Sequence, residues 1–173
     1  MKILIAYHYF AHYRFPILMK LAEQSDMDIT LISGNDKFLA VASGESRLAS
    51  SLNGIAWSEV TLPLEAAWAD GVYGNEKFVL VATDTDIVAS STNGTTWTTG
   101  SIPDDTDGGA DSTESQWGHV SYGAGKYVAV SVNDLATATS TDGTTWTRHD
   151  SATPDFTGET IVAMTYGNSK FVI

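Results

Sequence analysis

The sequence predicts a mainly β chain: a β-propeller-like array of four-stranded antiparallel blades preceded by a short N-terminal β-α segment. Three observations predict it. A hairpin phrase recurs as Ser51-Leu52-Asn53-Gly54-Ile55-Ala56-Trp57, Ser91-Thr92-Asn93-Gly94-Thr95-Thr96-Trp97 and Ser140-Thr141-Asp142-Gly143-Thr144-Thr145-Trp146. A second phrase recurs as Tyr73-Gly74-Asn75-Glu76-Lys77-Phe78-Val79, Tyr122-Gly123-Ala124-Gly125-Lys126-Tyr127-Val128 and Tyr166-Gly167-Asn168-Ser169-Lys170-Phe171-Val172. Runs such as Lys77–Ala82 and Lys126–Ser131 are rich in the β-branched and aromatic residues that suit a pleated, half-buried surface. A period of roughly 40 to 50 residues marks an array of one supersecondary unit, and four short antiparallel strands per unit form a propeller blade.

Residues 1–27 have a different texture and read as a strand-helix cap. Lys2-Ile3-Leu4-Ile5-Ala6 is a short apolar run like a buried strand. An aromatic cluster follows, from Tyr7 to Tyr13. Pro16 suits the first turn of a helix, and Ile17, Leu18 and Leu21 recur at helical spacing through about Gln24. Met27–Ser33 is a second strand. It also serves as the first strand of the array, because Asp28–Phe38 aligns with Ile161–Phe171. Residues 28–173 are then propeller repeats, with blades at about 28–67, 68–116 and 117–160 and a partial blade at 161–173.

The third copy shows a whole unit. Strands are expected at about His119–Tyr122, Lys126–Ser131, Ala136–Thr141 and Thr145–His149. Asn53-Gly54, Asn93-Gly94 and Asp142-Gly143 are strong hairpin signals, and a type I′ turn there would need positive φ at both residues of each pair. Asp142 is expected to accept hydrogen bonds from turn amides, Ser140 to do so more weakly, and Gly143 to take a φ that a side chain resists. Trp57, Trp97 and Trp146 are expected to pack between neighbouring sheets. These tryptophans, with Asn53, Gly54, Asn93, Gly94, Asp142 and Gly143, are the repeat-forming residues. Trp68 and Trp117 occupy equivalent places, and Ile161 takes that place in the next unit, which reads as packing.

Three and a half blades do not close a ring, since propellers have four to eight. Open blade faces need cover. The strand Ile3–Ala6 could pair with the partial blade, several chains could complete a ring, or the sequence could be a fragment or an engineered fusion. The abrupt end at Ile173 favours the second and third arrangements, so a homo-oligomer is expected.

Composition narrows the function. The formal net charge is −12, and there is no cysteine. That excludes disulfides, cysteine-ligated zinc and a thiol nucleophile. An acidic chain with no basic cluster repels phosphate and anionic lipid, so neither nucleic acid nor a membrane is an expected partner. No transmembrane span or signal peptide is evident.

The hairpin phrases resemble the Asp-box of bacterial-neuraminidase-repeat (BNR) proteins, Ser-x-Asp-x-Gly-x-Thr-Trp. Ser140, Asp142, Gly143, Thr145 and Trp146 match it with one residue fewer between Asp and Gly, and Asn53 and Asn93 replace the Asp elsewhere. The whole repeat is similar to those of phage tail fibres and bacterial surface proteins. The resemblance implies a propeller on a virion or cell surface that binds carbohydrate or protein through inter-blade loops. Residues 1–34 resemble the start of a GT-B glycosyltransferase, in Met1-Lys2-Ile3-Leu4-Ile5 and Tyr9–Pro16. The donor domain of that family has no counterpart in the chain.

No catalytic constellation stands out. A sialidase would need clustered arginines, and Arg14, Arg47 and Arg148 fall in unrelated repeat positions. Pro103–Glu114 interrupts the second blade, and Asp105, Asp107 and Asp111 are its candidate Ca²⁺ ligands. The spacing is not that of an EF-hand, and a solvated loop is the plainer reading. His8 and His12 stand four apart but precede the predicted helix. The function expected is a non-enzymatic binding or structural module recognising a glycan or protein. The alternatives are a carbohydrate-active enzyme fragment and an engineered or truncated propeller.

Overall fold

The computed structural model describes residues 3–6, 29–103, 115–149 and 161–173. Among them none is helical. The helix expected near residues 16–24 lies outside the described residues.

The strands form successive antiparallel meanders. The first blade comprises β2 (Ile29–Gly34), β3 (Lys37–Ala42), β4 (Glu45–Ser51) and β5 (Ser58–Ala66). The strand β1 (Ile3–Ala6) is added beside β2. The second blade comprises β6 (Trp68–Gly74), β7 (Lys77–Ala82), β8 (Ile87–Ser91) and β9 (Thr98–Ser101). The third comprises β10 (Trp117–Gly123), β11 (Lys126–Ser131), β12 (Thr137–Ser140) and β13 (Thr147–His149). A two-stranded sheet follows, β14 (Thr165–Gly167) with β15 (Lys170–Val172). The strand β1 runs parallel to β2, with Ile3 opposite Ile29. Parallel strands need a crossover connection, and residues 7–28 are long enough to supply it. The N-terminal strand therefore adds to the first blade and does not pair with β15.

The alternation of the strands explains why the blades stack. In β7 every residue from Phe78 to Ala82 is buried. Phe78, Leu80 and Ala82 belong to the core shared with Ile32, Leu39 and Val41 of the first blade. Val79 and Val81 face the other way, into the core with Trp117, Tyr127 and Trp146 of the third. A period of two thus gives one strand two apolar faces, each covered by a neighbouring sheet.

A second device sets the spacing between blades. A methyl group at Gly34 would overlap the Tyr73 ring, one at Gly74 the Tyr122 ring, and one at Gly123 the Tyr166 ring. Each Tyr-Gly pair therefore lays its ring over the preceding blade and offers a bare backbone to the next. Polar links cross the same junctions. Lys37 Nζ donates to the Asn93 carbonyl and Lys77 Nζ to the Asp142 carbonyl, both at 2.6 Å. Asn35 and Asn75 Nδ2 donate to the carbonyls of Thr92 and Thr141 at 3.2 and 3.3 Å. The Tyr127 hydroxyl donates to the Gly74 carbonyl, and burial pushes its pKa up.

The two-residue hairpins are not where the Asn-Gly signal placed them. Positive φ at both turn residues occurs at Asn35-Asp36, Asn75-Glu76, Ala124-Gly125 and Asn168-Ser169, which join the first and second strands of each unit. In the Asn-Gly and Asp-Gly pairs only the glycine has positive φ: 70° at Gly54, 69° at Gly94 and 71° at Gly143. Those pairs sit in a wider loop, whose amides are satisfied by side chains instead of by a tight turn.

Candidate functional site

The repeated loop is built the same way in all three blades. Ser51, Ser91 and Ser140 Oγ each accept the amide of the turn glycine at 2.8 Å. Asn53 Oδ1 accepts the amides of Ile55 and Ala56 at 2.8 and 3.0 Å. Asn93 Oδ1 accepts those of Thr95 and Thr96 at 2.9 and 2.8 Å. Asp142 Oδ1 accepts those of Thr144 and Thr145 at 2.8 and 2.7 Å. The amides of Thr145 and Thr144 hold the Asp142 carboxyl well below the usual carboxylate range. Trp97 packs on Phe78 and Trp146 on Tyr127, with ring centroids 6.5 and 6.4 Å apart. Trp97 and Trp146 are buried and Trp57 half-buried. This arrangement closes a loop and, at Gly94 and Gly143, seats it on the preceding sheet.

At the opposite end of the blades, two polar groups were not singled out by sequence. The β6–β7 and β10–β11 ladders skip Ala69 and Gly118, so each inner strand carries a bulge. The bulges bring Asp70 and His119 together across a blade junction, with His119 Nδ1 3.6 Å from Asp70 Oδ2. Asp70 Oδ2 also accepts the Val120 amide at 3.0 Å, and His119 Nε2 lies 3.2 Å from the Ile161 carbonyl. Both side chains are buried. With one ring nitrogen facing the carboxylate and the other a backbone carbonyl, the imidazole is committed to joining blades. No pattern of spacing announces this pair, because it depends on which inner strands become neighbours.

The arginines sit apart. Arg47 lies 3.5 Å from Glu45 and 3.6 Å from Glu59 in the first blade. Arg148 lies 3.1 Å from Asp134 in the third, bonds Ser115, and stacks its guanidinium 5.8 Å from the Trp117 ring centroid. Burial pushes the Asp134 carboxyl up, but hydrogen bonds from Ser115, Ser131 and the Ala136 amide, with the Arg148 charge, outweigh it and leave it lowered. Arg14, His8, His12, Asp105, Asp107 and Asp111 lie outside the described residues. Among the described residues no group of His, Cys, Asp and Glu side chains could hold a metal ion.

One concave feature among the described residues is a rim groove of about 750 Å³ between the first and second blades. It is lined by Ser58 to Thr61 of β5, by Ser50 and Ser51 of β4, and by Lys37, Leu52 and Thr95. Among the described residues no aromatic side chain lines it. Leu52 is 72% exposed, and threonine stands in its place at Thr92 and Thr141.

Equivalent positions differ at this groove. Val60 of β5 corresponds to Gly100 of β9. At the next junction Gly100 lies against the incoming hairpin, and a Cβ there would stand 2.5 Å from the Thr144 carbonyl oxygen. Ser101 and Thr145 form a parallel bridge at that junction. A valine side chain could not occupy such a contact, so the two junctions differ at this position.

No family model matches the chain, and no curated protein does. Solved structures do. The virginiamycin B lyase of Staphylococcus aureus superposes with a TM-score of 0.65 at 16% identity, covering 83% of this chain and 46% of the lyase. YCF48 bound to D1 peptide gives 0.56 at 16% identity, covering 83% and 44%. The chain is a β-propeller array. It spans less than half the length of those two structures. Myxococcus xanthus glutaminyl cyclase gives 0.54 at 11% identity, covering 84% of this chain and 66% of the cyclase. Two of these neighbours are enzymes, which corrects the expectation that this chain is not one. That expectation rested on the lack of a catalytic pattern in the sequence, and the scaffold it pointed to also carries catalysis. The likeness itself shows the fold alone.

Proposed function

We propose that the chain is a protein-binding propeller module whose site is the rim groove between the first and second blades. The observation that carries this reading is the groove beside β5, bordered by exposed Leu52 and half-buried Val60, with Lys37 and Glu59 in its lining. Apolar contacts beside a few placed polar groups suit a polypeptide segment. A glycan would call for an aromatic platform, and the lining has none. YCF48 bound to D1 peptide supports the reading as an instance of a similar scaffold holding a peptide. The net charge of −12 favours an uncharged or basic segment.

The test is selection from a displayed library of random linear peptides, beside a glycan array. Peptides that bind the parent and lose binding to Leu52→Asp support the proposal. An empty selection, binders indifferent to Leu52→Asp, or glycan binding alone overturns it.

A further inference from the structure

We infer that the ligand of the rim groove is an extended peptide backbone that adds as a further strand along Ser58–Thr61. This inference rests on the preceding reading of the groove as a protein-binding site, and it specifies how the partner is held.

The next junction supplies the precedent. There the outer strand β9 does not remain bare: Ser101 bridges Thr145 in parallel, and the Thr144 carbonyl lies directly over Gly100. Backbone of the Asp142-Gly143 loop therefore already covers the end of the equivalent strand one blade further on, through a single bridge. At the first junction Val60 replaces Gly100, and Thr95, the counterpart of Thr144, lines the far side of a groove of about 750 Å³. The strand β5 pairs with β4 through Ser58, Glu59, Val60 and Thr61, and is an outermost strand of its sheet. The groove is lined by these four residues and, on the same sheet, by Lys37, Ser50 and Ser51. Unpaired strand edges recruit extended segments through main-chain hydrogen bonds.

The local sequence also limits the register. Between Glu45/Ala66 and Arg47/Thr61 the ladder is interrupted, with Leu62 to Glu65 looped out on β5. Pro63 falls in that loop and has no amide to donate. Pairing can therefore extend over Ser58–Thr61 and no further. Side-chain selectivity would come from Leu52 and Val60, since Lys37 Nζ is already bonded to the Asn93 carbonyl and Glu59 lies beside Arg47.

A short capped peptide alternating threonine and valine, with lysine at each end, is the probe, beside the same peptide methylated on alternate backbone nitrogens. Fluorescence anisotropy measures binding, and amide hydrogen exchange maps it. Saturable binding is expected, with new protection confined to residues 58–61 and at least about a tenfold loss on N-methylation, near 1.4 kcal/mol. Val60→Gly should abolish binding by letting the rim close, and Gly100→Val should create a second site at the next junction. Should Val60→Gly prove unstable, Thr61→Pro on the same edge gives the same readout. Equal binding of the methylated peptide, or protection elsewhere, overturns strand addition. If library peptides sensitive to Leu52→Asp also tolerate backbone methylation, the groove stands as a site and only strand addition fails. If no peptide of either kind binds, both fail.

Discussion

Replacing Gly74 by alanine should separate two blades. The Tyr122 ring lies flat over the Gly74 backbone, so a methyl group there would overlap it. The ring cannot retreat freely, because it is 4.8 Å from the Tyr127 ring, which is itself fully buried. Overpacking of this kind costs about 1–3 kcal/mol. Taking about 2 kcal/mol, and about 2–4 °C per kcal/mol for a chain of this size, the melting temperature should fall by ~4–8 °C. Gly167→Ala is the internal control. The same dipeptide occurs there, but nothing lies within 4 Å of the added methyl, and its φ is not positive. It should melt with the parent or slightly above it, since alanine restricts the unfolded chain. Urea and thermal denaturation of both variants decide the matter. A Gly74→Ala protein within ~0.5 kcal/mol of the parent, or a Gly167→Ala protein that falls as far, would refute the account of how blades are spaced.

Other substitutions test the links between and within blades. Tyr127→Phe removes the hydroxyl that bonds the Gly74 carbonyl and should cost about 1 kcal/mol in urea titration. Trp117→Ala, from a side chain 1% exposed, should cost about 3–5 kcal/mol, whereas Leu52→Thr should stay within ~0.5. The Asp142 carboxyl is held down in the folded state, so its contribution is complete above the unfolded value near ~4 and is lost as pH falls through the lower folded one. Asp142→Asn should therefore be less stable than the parent at neutral pH, and that gap should shrink in acid. A gap that does not change with pH would contradict it.

The array was readable because its period is carried by residues whose roles are local. The Ser-x-Asn/Asp-Gly loops close on their own amides, and Tyr-Gly and Lys-Phe/Tyr-Val mark a bare backbone and an inward ring. The turn type was misjudged for a local reason as well. Asn-Gly suits a type I′ turn, but Ser51, Ser91 and Ser140 sit two residues earlier and capture the glycine amide, which opens the loop. Meanwhile Asn35-Asp36, Asn75-Glu76 and Asn168-Ser169, which lack glycine, take positive φ at both positions. Two features of the blade junctions were not readable. That Val60 stands where Gly100 meets the Thr144 carbonyl matters only once two blades lie side by side. Asp70 and His119 lie 49 positions apart, a separation that says nothing until two inner strands become neighbours.

The ring and the bare backbone that receives it lie on opposite flanks of every Tyr-Gly unit. Such a chain of parts has a direction, like a row of tiles with a tongue on one side and a slot on the other. A duplicated unit inserted between two existing ones would meet a matching flank on each side without any new contact having to be invented. A unit inserted backwards would set ring against ring. Growth of the array by copying is therefore chemically easy, and its handedness is written into two adjacent residues.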